Sequence, residues 1–360
     1  MLSLWQDRLT HLFRKISNKE ISLEKWAFYK RKVEQGKLSF DGLLKIIQTN
    51  LEYEQTLKPV LAEIQEVYRY FLFREATPTE ILQHLQHFYE QLDSSETRQA
   101  VIKDGDIRTY LGIRPFKLEM DIVNQCNLRC IMCHFSSAEL SKQKKAELSI
   151  ENFASIAKQL FPLCSQVSLS ISTEPLLNSN LEEILKITGK YKIPFLFMYS
   201  NGQLLNDRII NQLIESKLNH ISISIDAATK ETYEKIRVGA KFERLIANIE
   251  AINQAKEKAG SATPHLCFNF VMMRSNISEL PAVVELARDL KVETVAAVHM
   301  VPLAIAAADP KEESLIYHKG LSNQMLAQAR QLAREYQIHV TFPEEFEEEV
   351  AAPSPLNPDP

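Results

Sequence analysis

Residues 120–137 form a cysteine-rich stretch that reads Met-Asp-Ile-Val-Asn-Gln-Cys-Asn-Leu-Arg-Cys-Ile-Met-Cys-His-Phe-Ser-Ser. Three of the five cysteines, Cys126, Cys130 and Cys133, lie within it in a C-x3-C-x2-C spacing. Three thiols cannot form a closed set of disulfides, because one is always left over. Thiolates are ligands of iron–sulfur clusters, and three of them on a four-iron cluster leave one iron open to a substrate or cofactor.

The composition indicates a globular protein of the cell interior. With 360 residues the chain is long enough for two domains, and its net charge of -4 gives no sign of a nucleic-acid-binding surface. No apolar run approaches the length of a membrane span, and the N-terminus lacks the apolar region of a signal peptide. Few cysteines, most of them clustered, favour a reducing compartment, so a cytoplasmic protein without a membrane or nucleic-acid partner is expected.

The chain divides into three regions by pattern. Residues 1–112 carry apolar residues at helical spacing and predict an all-helical N-terminal domain, in which Thr77 or Thr79 caps a helix. Residues 113–342 alternate short β-type runs with amphipathic helices, which is typical of an α/β domain with a parallel sheet. Residues 343–360 are acidic and rich in proline, and predict a disordered tail.

Seven strands are predicted in the second region: Lys117–Val123, Gln166–Ser172, Phe195–Tyr199, His220–Asp226, His265–Met272, Glu293–His299 and a short last strand, Ile338–Phe342. Six strand–helix units predict a partial (β/α)6 barrel of the TIM type. Functional groups of such barrels lie at the C-terminal ends of the strands, where the strand-to-helix loops meet. The cysteine stretch follows the first strand and therefore falls on that face.

The cysteine stretch resembles the cluster-binding signature of the radical S-adenosylmethionine (radical SAM) enzymes. The resemblance covers residues 115–302, and the branch that carries a SPASM domain is the most similar. It implies a [4Fe–4S] cluster on Cys126, Cys130 and Cys133, with the amino and carboxylate groups of SAM on the fourth iron. It further implies an external electron donor of the flavodoxin or ferredoxin type, and cleavage of SAM to a 5′-deoxyadenosyl radical that abstracts hydrogen from a substrate.

Three other strand ends carry the resemblance. Residues 170–175, Ser-Ile-Ser-Thr-Glu-Pro, are similar to the family's Gly-Gly-Glu-Pro motif, and residues 199–202, Tyr-Ser-Asn-Gly, to its Thr-Asn-Gly. Residues 224–237 are similar to a Ser-Leu-Asp-Gly-Ala-Thr-Lys-Glu-Thr-Tyr-Glu-Lys-Ile-Arg stretch of the SPASM-type branch. The resemblance implies contacts with SAM from Met132, Thr173, Glu174, Ser200, Ser224, Asp226 and Met300. Glu174 would supply the carboxylate for the SAM amino group.

The substrate is less well indicated. In the related molybdopterin-precursor synthases a lysine stands two positions before the residue that matches Asn269, and here Cys267 occupies that place. The missing cation argues against a triphosphate. Many SPASM-type relatives modify peptides, which makes a peptide a candidate. Cys164 and Cys267 are expected to be small buried hydrophobic residues, and Cys267 is also a candidate hydrogen-atom donor to a substrate radical.

Two alternatives stay open on the sequence alone. No cysteine follows Cys267, so either the auxiliary-cluster domain of SPASM-type relatives has been lost or the chain stops where that domain would begin. The rival to an enzyme is a non-catalytic protein, in which a retained barrel holds an iron–sulfur cluster or zinc for binding or regulation. Formation of 5′-deoxyadenosine after reduction distinguishes the two.

Overall fold

A computed structural model of the chain describes residue 37, residues 53–92 and residues 94–347. Contacts divide the chain into two units, Met1–Phe116 with Lys158–Cys164, and Lys117–Ala157 with Ser165–Pro360. The helices predicted before residue 52, and the part of the predicted tail from residue 348 onward, lie outside the described residues.

The described part of the first unit is helical, as predicted. After a π-helical turn at Tyr53–Leu57, its helices are Lys58–Phe71, Pro78–Gln91, Ser95–Asp104 and Ile107–Tyr110. Their apolar faces meet in one core, with Leu57, Ile64 and Phe88 fully buried. Thr77 caps the second of these helices: its hydroxyl accepts from the Glu80 amide at 3.3 Å, and the Glu80 carboxylate accepts from the Thr77 amide at 2.8 Å.

The second unit contains a seven-stranded sheet with its strands in chain order, which confirms the predicted α/β partial barrel. The strands are β1 (Phe116–Glu119), β2 (Cys164–Ser168), β3 (Phe195–Ser200), β4 (His220–Ser224), β5 (His265–Met272), β6 (Thr294–His299) and β7 (His339–Thr341). The pairs from β2 to β7 are parallel. Their C-terminal ends therefore gather at one edge.

Helices connect these strands and cover the outer face of the sheet. Their bounds are Ala138–Ser141, Ile150–Leu160, Leu181–Gly189, Asp207–Glu215, Lys230–Ile236, Phe242–Ala259, Leu280–Asp289, Pro310–Glu313 and Lys319–Tyr336. In β5 the side chains of Leu266, Phe268 and Phe270 are fully buried, while Asn269 and Val271 on the opposite face are partly exposed. No helix within the described ranges is both long and apolar enough to cross a lipid bilayer.

The first two strands end earlier than predicted. The prediction carried β1 to residue 123 and β2 to residue 172, whereas they end at Glu119 and Ser168. Beyond these ends, Asp121 accepts hydrogen bonds from the amides of residues 171–173 at 2.8–3.2 Å. Because those three amides are already paired with a carboxylate, the predicted part of β2 from residue 171 to residue 172 is a loop.

The beginning of the predicted tail contacts the last long helix. Asn323 and Phe346 exchange two hydrogen bonds of 2.8 Å through the asparagine amide and the backbone of Phe346. Arg330 donates to the Pro343 carbonyl at 2.6 Å and forms an ion pair with Glu345 at 2.8 Å. Residues 343–347 are therefore held on the barrel unit by specific polar contacts.

Candidate active site

The three clustered cysteines line one cavity at the C-terminal ends of the strands. Cys126, Cys130 and Cys133 are free thiols, and the cavity that they share has a volume of about 360 Å³. Among the residues that the structure describes, no group of three or more His, Cys, Asp or Glu side chains is arranged to hold a single metal ion. The common cavity is the geometry expected of ligands that approach one larger group from the same side.

Hydrogen-bond donors of the chain point at these sulfur atoms. The Leu128 amide lies 3.4 Å from Cys126 Sγ, and Arg237 Nη1 lies 3.7 Å from Cys130 Sγ. Such donors stabilise a thiolate, the form that binds metal. In the metal-free chain burial raises the pKa of Cys126 to about 11 and that of Cys130 to about 12. Loading a metal group on these thiols must therefore release protons. The donor set fits an iron–sulfur cluster.

Glu174 and Ser200, which the sequence placed at the ends of β2 and β3, are in contact. The Ser200 hydroxyl donates to Glu174 Oε1 at 2.8 Å, and the Asn201 amide donates to Oε2 at 2.8 Å. Glu174 is 2% exposed and lines the cavity, and burial raises its pKa to about 7. A cationic group bound beside it would favour the ionised carboxylate.

Asn201 and Gly202 also shape the site, although the resemblance of residues 199–202 to the family's Thr-Asn-Gly gave neither residue a predicted role. Asn201 donates to Asn127 Oδ1 at 2.8 Å and lies 3.8 Å from Cys126 Sγ, so the end of β3 contacts the cysteine loop. Gly202 has a φ of 71°, and a Cβ there would lie 2.6 Å from Leu245 Cδ1. Glycine is favoured here because this backbone conformation strains other residues, and a Cβ would force the end of the Leu245 side chain to shift.

The structure brings most of the predicted site residues together. The predicted residues that line the cavity are Cys126, Cys130, Met132, Cys133, Thr173, Glu174, Ser200, Ser224 and Met300. Asp226 and Cys267 are not among the lining residues. Asp226 is fully buried in an ion pair with Arg237, and Cys267 lies on the same face of β5 as Asn269, two residues further from the strand end. Their predicted roles remain predictions.

Asp121 organises the loop that precedes Glu174, and its role was missed from the sequence. Besides the three amides of residues 171–173, its carboxylate accepts from the hydroxyls of Ser172 at 2.9 Å and Thr173 at 2.8 Å. Burial alone would raise the pKa of Asp121, but these hydrogen bonds outweigh it and lower the pKa. Ser172 and Thr173 thus replace the family's two glycines by supplying hydroxyls to a carboxylate 51 and 52 residues away.

We expect Asp121→Asn to lower the free energy of unfolding by about 2 kcal/mol at pH 7, because the amide loses part of its accepting capacity. The pKa of Asp121 is lowered by folding, so its contribution is present above its ordinary pKa and is lost as the pH falls through the folded value. Urea unfolding at pH 7 and near pH 3 measures the difference in the free energy of unfolding between Asp121→Asn and the unaltered chain. Glu119→Gln, an exposed carboxylate of β1, is the matched control. An equal difference at both pH values would contradict this account.

Comparison with known protein families gives one family match. The model of the radical SAM superfamily matches residues 120–287. A probable GTP 3′,8-cyclase of Methanocaldococcus jannaschii is 30% identical over 173 residues, 48% of this chain and 55% of that protein. The GTP 3′,8-cyclase of Synechocystis is 27% identical over 183 residues, 51% of this chain and 53% of that protein. The chain thus spans little more than half the length of these curated relatives.

Solved structures show the same fold. SuiB of Streptococcus suis bound to S-adenosylmethionine has a TM-score of 0.54 and 16% identity, over 84% of this chain and 63% of SuiB. Native anSMEcpe with bound AdoMet has a TM-score of 0.50 and 16% identity, over 62% of each chain. The family match agrees with the superfamily predicted from the sequence, and both solved neighbours hold SAM, one of the two predicted cofactors.

Proposed function

We propose that this chain, which belongs to the radical SAM superfamily through residues 120–287, binds a [4Fe–4S] cluster and SAM and starts radical chemistry on a substrate carbon. The observation that carries the proposal is the shared cavity, where three thiols face Glu174 and the ends of β3 and β4. When bound, the cluster supplies the electron that cleaves SAM to methionine and a 5′-deoxyadenosyl radical, which abstracts hydrogen from the substrate.

The side chains of the cavity divide the work of holding these cofactors. Cys126, Cys130 and Cys133 would ligate the cluster, and Glu174 would accept from the SAM ammonium group. The hydroxyls of Thr173 and Ser224 and the thioethers of Met132 and Met300 also line the cavity; the thioethers would pack against the adenine ring. Ser200 acts on Glu174, because its hydroxyl donates to that carboxylate.

A peptide segment is the substrate class that we propose. Ile171, Val298 and Val301 line the cavity with 53%, 46% and 68% of their surface exposed, so the open side of the site is apolar. SuiB, which has the same fold, is solved with a precursor peptide, SuiA. GTP, the substrate named for the curated relatives, carries a triphosphate, which needs cations. Arg237 lines the cavity, but it is buried and paired with Asp226.

The proposed chemistry also supports an electron-donor partner and a reducing compartment for this chain. One-electron reduction requires a donor, and a flavodoxin or ferredoxin is the proposed partner. The cysteines described by the structure are all free thiols, which suits a reducing compartment such as the cytoplasm. The hydrogen-donor role of Cys267 stays a prediction.

Anaerobic reconstitution with iron and sulfide, followed by reduction with dithionite in the presence of SAM, tests the proposal. We expect about four irons per chain and catalytic formation of 5′-deoxyadenosine, measured by chromatography. Protein that loads zinc instead, or that holds a cluster but leaves SAM intact, would favour the non-catalytic alternative. Adding GTP in parallel tests the substrate class, since conversion of GTP would overturn the peptide proposal without affecting the cofactor assignment.

A further inference from the structure

The segment 236–238 is paired with the cysteine loop through its backbone. The Arg129 amide donates to the Val238 carbonyl at 2.9 Å, and the Ile131 amide donates to the Ile236 carbonyl at 2.9 Å. The residue numbers rise along the loop from 129 to 131 while those of the partners fall from 238 to 236, so the two segments run antiparallel. They place Arg237 directly opposite Cys130, the middle cysteine of the loop.

The side chain of Arg237 is fixed by an ion pair behind it. Arg237 is 6% exposed and Asp226 is fully buried, and Arg237 Nη2 lies 2.7 Å from Asp226 Oδ2. Asp226 is itself held, because its Oδ1 accepts from the Val271 amide at 2.8 Å and its carbonyl accepts from Asn276 Nδ2 at 3.0 Å. The other guanidinium arm, Nη1, lies 3.7 Å from Cys130 Sγ.

This arrangement presents the positive end of a buried ion pair to one sulfur atom. An arginine guanidinium keeps its charge in proteins, and here it is paired with the Asp226 carboxylate. In a low-dielectric interior a charge at this distance acts strongly on its neighbour. A fixed cation beside a ligand sulfur stabilises whichever state of the bound group carries more negative charge.

We propose that Arg237, positioned by Asp226, tunes the redox potential of the cluster by placing a positive charge against Cys130. The inference rests on the proposed cluster site. The relevant step is the one-electron reduction of [4Fe–4S]2+ to [4Fe–4S]1+ by an added donor, dithionite or a poised mediator. Because reduction adds one negative charge, Arg237 raises the potential and makes the cluster easier to reduce.

Two variants of the full chain, each reconstituted anaerobically, test this. Arg237→Lys keeps Asp226 paired but lacks the fork that reaches Cys130, and we expect the ratio of reduced to oxidised cluster at a fixed potential to fall about threefold. The double variant Asp226→Asn with Arg237→Gln removes both charges and leaves no unpaired buried ion. We expect it to lower the ratio about tenfold, which is a shift of about 59 mV to more negative potential. Potentiometric titration followed by electron paramagnetic resonance measures both.

The controls separate this inference from the proposed function. Lys230→Gln removes a positive charge from the helix that precedes Arg237, on its exposed side, and should leave the potential unchanged. If the unaltered chain holds no cluster, the proposed function fails. If the unaltered chain holds a cluster, and the variants have the same ratio of reduced to oxidised cluster at the fixed potential within a factor of two, the inference about Arg237 is overturned. Should only Arg237→Lys retain a cluster, its ratio alone decides between the two outcomes.

Discussion

Cys130→Ala should leave a folded chain that holds less than about a tenth of the iron of the unaltered protein and forms 5′-deoxyadenosine about a hundredfold more slowly. Three thiolates are the fewest that can hold a four-iron cluster with one iron open to SAM. Two remaining thiolates leave a second iron without a protein ligand. Cys130 is also the most buried of the three, at 8% exposed, so solvent cannot easily supply a replacement ligand.

Cys164→Ala is the matched control for that substitution. Cys164 is a fully buried free thiol at the start of β2, and it does not line the cavity. Its loss should lower stability through packing while the iron content stays the same. Iron and sulfide are measured per chain after reconstitution, and circular dichroism confirms folding. A Cys130→Ala protein with a full complement of iron would show that the cluster, if any, is held elsewhere.

The barrel could be predicted from the sequence because its strands repeat a simple pattern. In β5, a short β-type run between two amphipathic helices placed the strand at His265–Met272, the bounds that the structure has. In β1 and β2, the same pattern ran past the true ends. Beyond the end of β2, Asp121 pairs with amides 50–52 residues away, and a local pattern carries no information about such a contact.

The site was predicted to the extent that its residues fall in recognisable motifs. The three cysteines and Glu174 were found in this way, whereas Asn201 and Arg237 were not assigned a role. Arg237 could have been considered, because it ends the stretch 224–237 that resembles the family. Its contact with Cys130 spans 107 residues, however, and depends on backbone pairing that only the fold reveals.

The alternation of side chains along a strand predicts which face of the sheet a residue is on, but not whether that residue reaches the cavity. Asp226 and Cys267 were both expected in the site from alternation along β4 and β5. Cys267 shares a face with Asn269, but it lies two residues closer to the start of the strand, so Asn269 lines the cavity and Cys267 does not. Asp226 follows β4, and its carboxylate is fully buried against Arg237. Depth depends on strand register, which side-chain alternation does not encode.

Two carboxylates on and next to the loop at the end of β2 have opposite protonation behaviour; only Glu174 lines the cavity. Asp121 accepts only from groups of the chain, which lower its pKa, and it fixes the loop at all neutral pH values. Glu174, three residues beyond that loop's first amide, is more deeply buried, and its pKa is raised to about 7. One carboxylate therefore serves as a permanent structural anion. The other is about half ionised near pH 7, and a cation bound beside it would favour its ionised form.

Glu174→Gln should weaken SAM binding by about tenfold to a hundredfold at pH 7.5, because an ammonium group would lose a buried charge-assisted hydrogen bond. Glutamine keeps the size of the side chain, and its single oxygen can still accept from the Asn201 amide, while its NH2 group can donate to the Ser200 hydroxyl. Glu257→Gln, an exposed carboxylate paired with Lys291 on the surface, should leave SAM affinity unchanged. Equilibrium dialysis of labelled SAM against reconstituted protein measures the affinities.

The pH dependence of that affinity is the sharper test of Glu174. Its pKa in the free protein is about 7, and a bound cation lowers it, so binding releases a proton at pH values below 7. The SAM amino group itself stays protonated in this range. SAM affinity should therefore fall about fivefold from pH 7 to pH 6 in the unaltered protein and stay flat in Glu174→Gln. A slope that survives in the variant would assign the titrating group to another residue and remove Glu174 from the ammonium site.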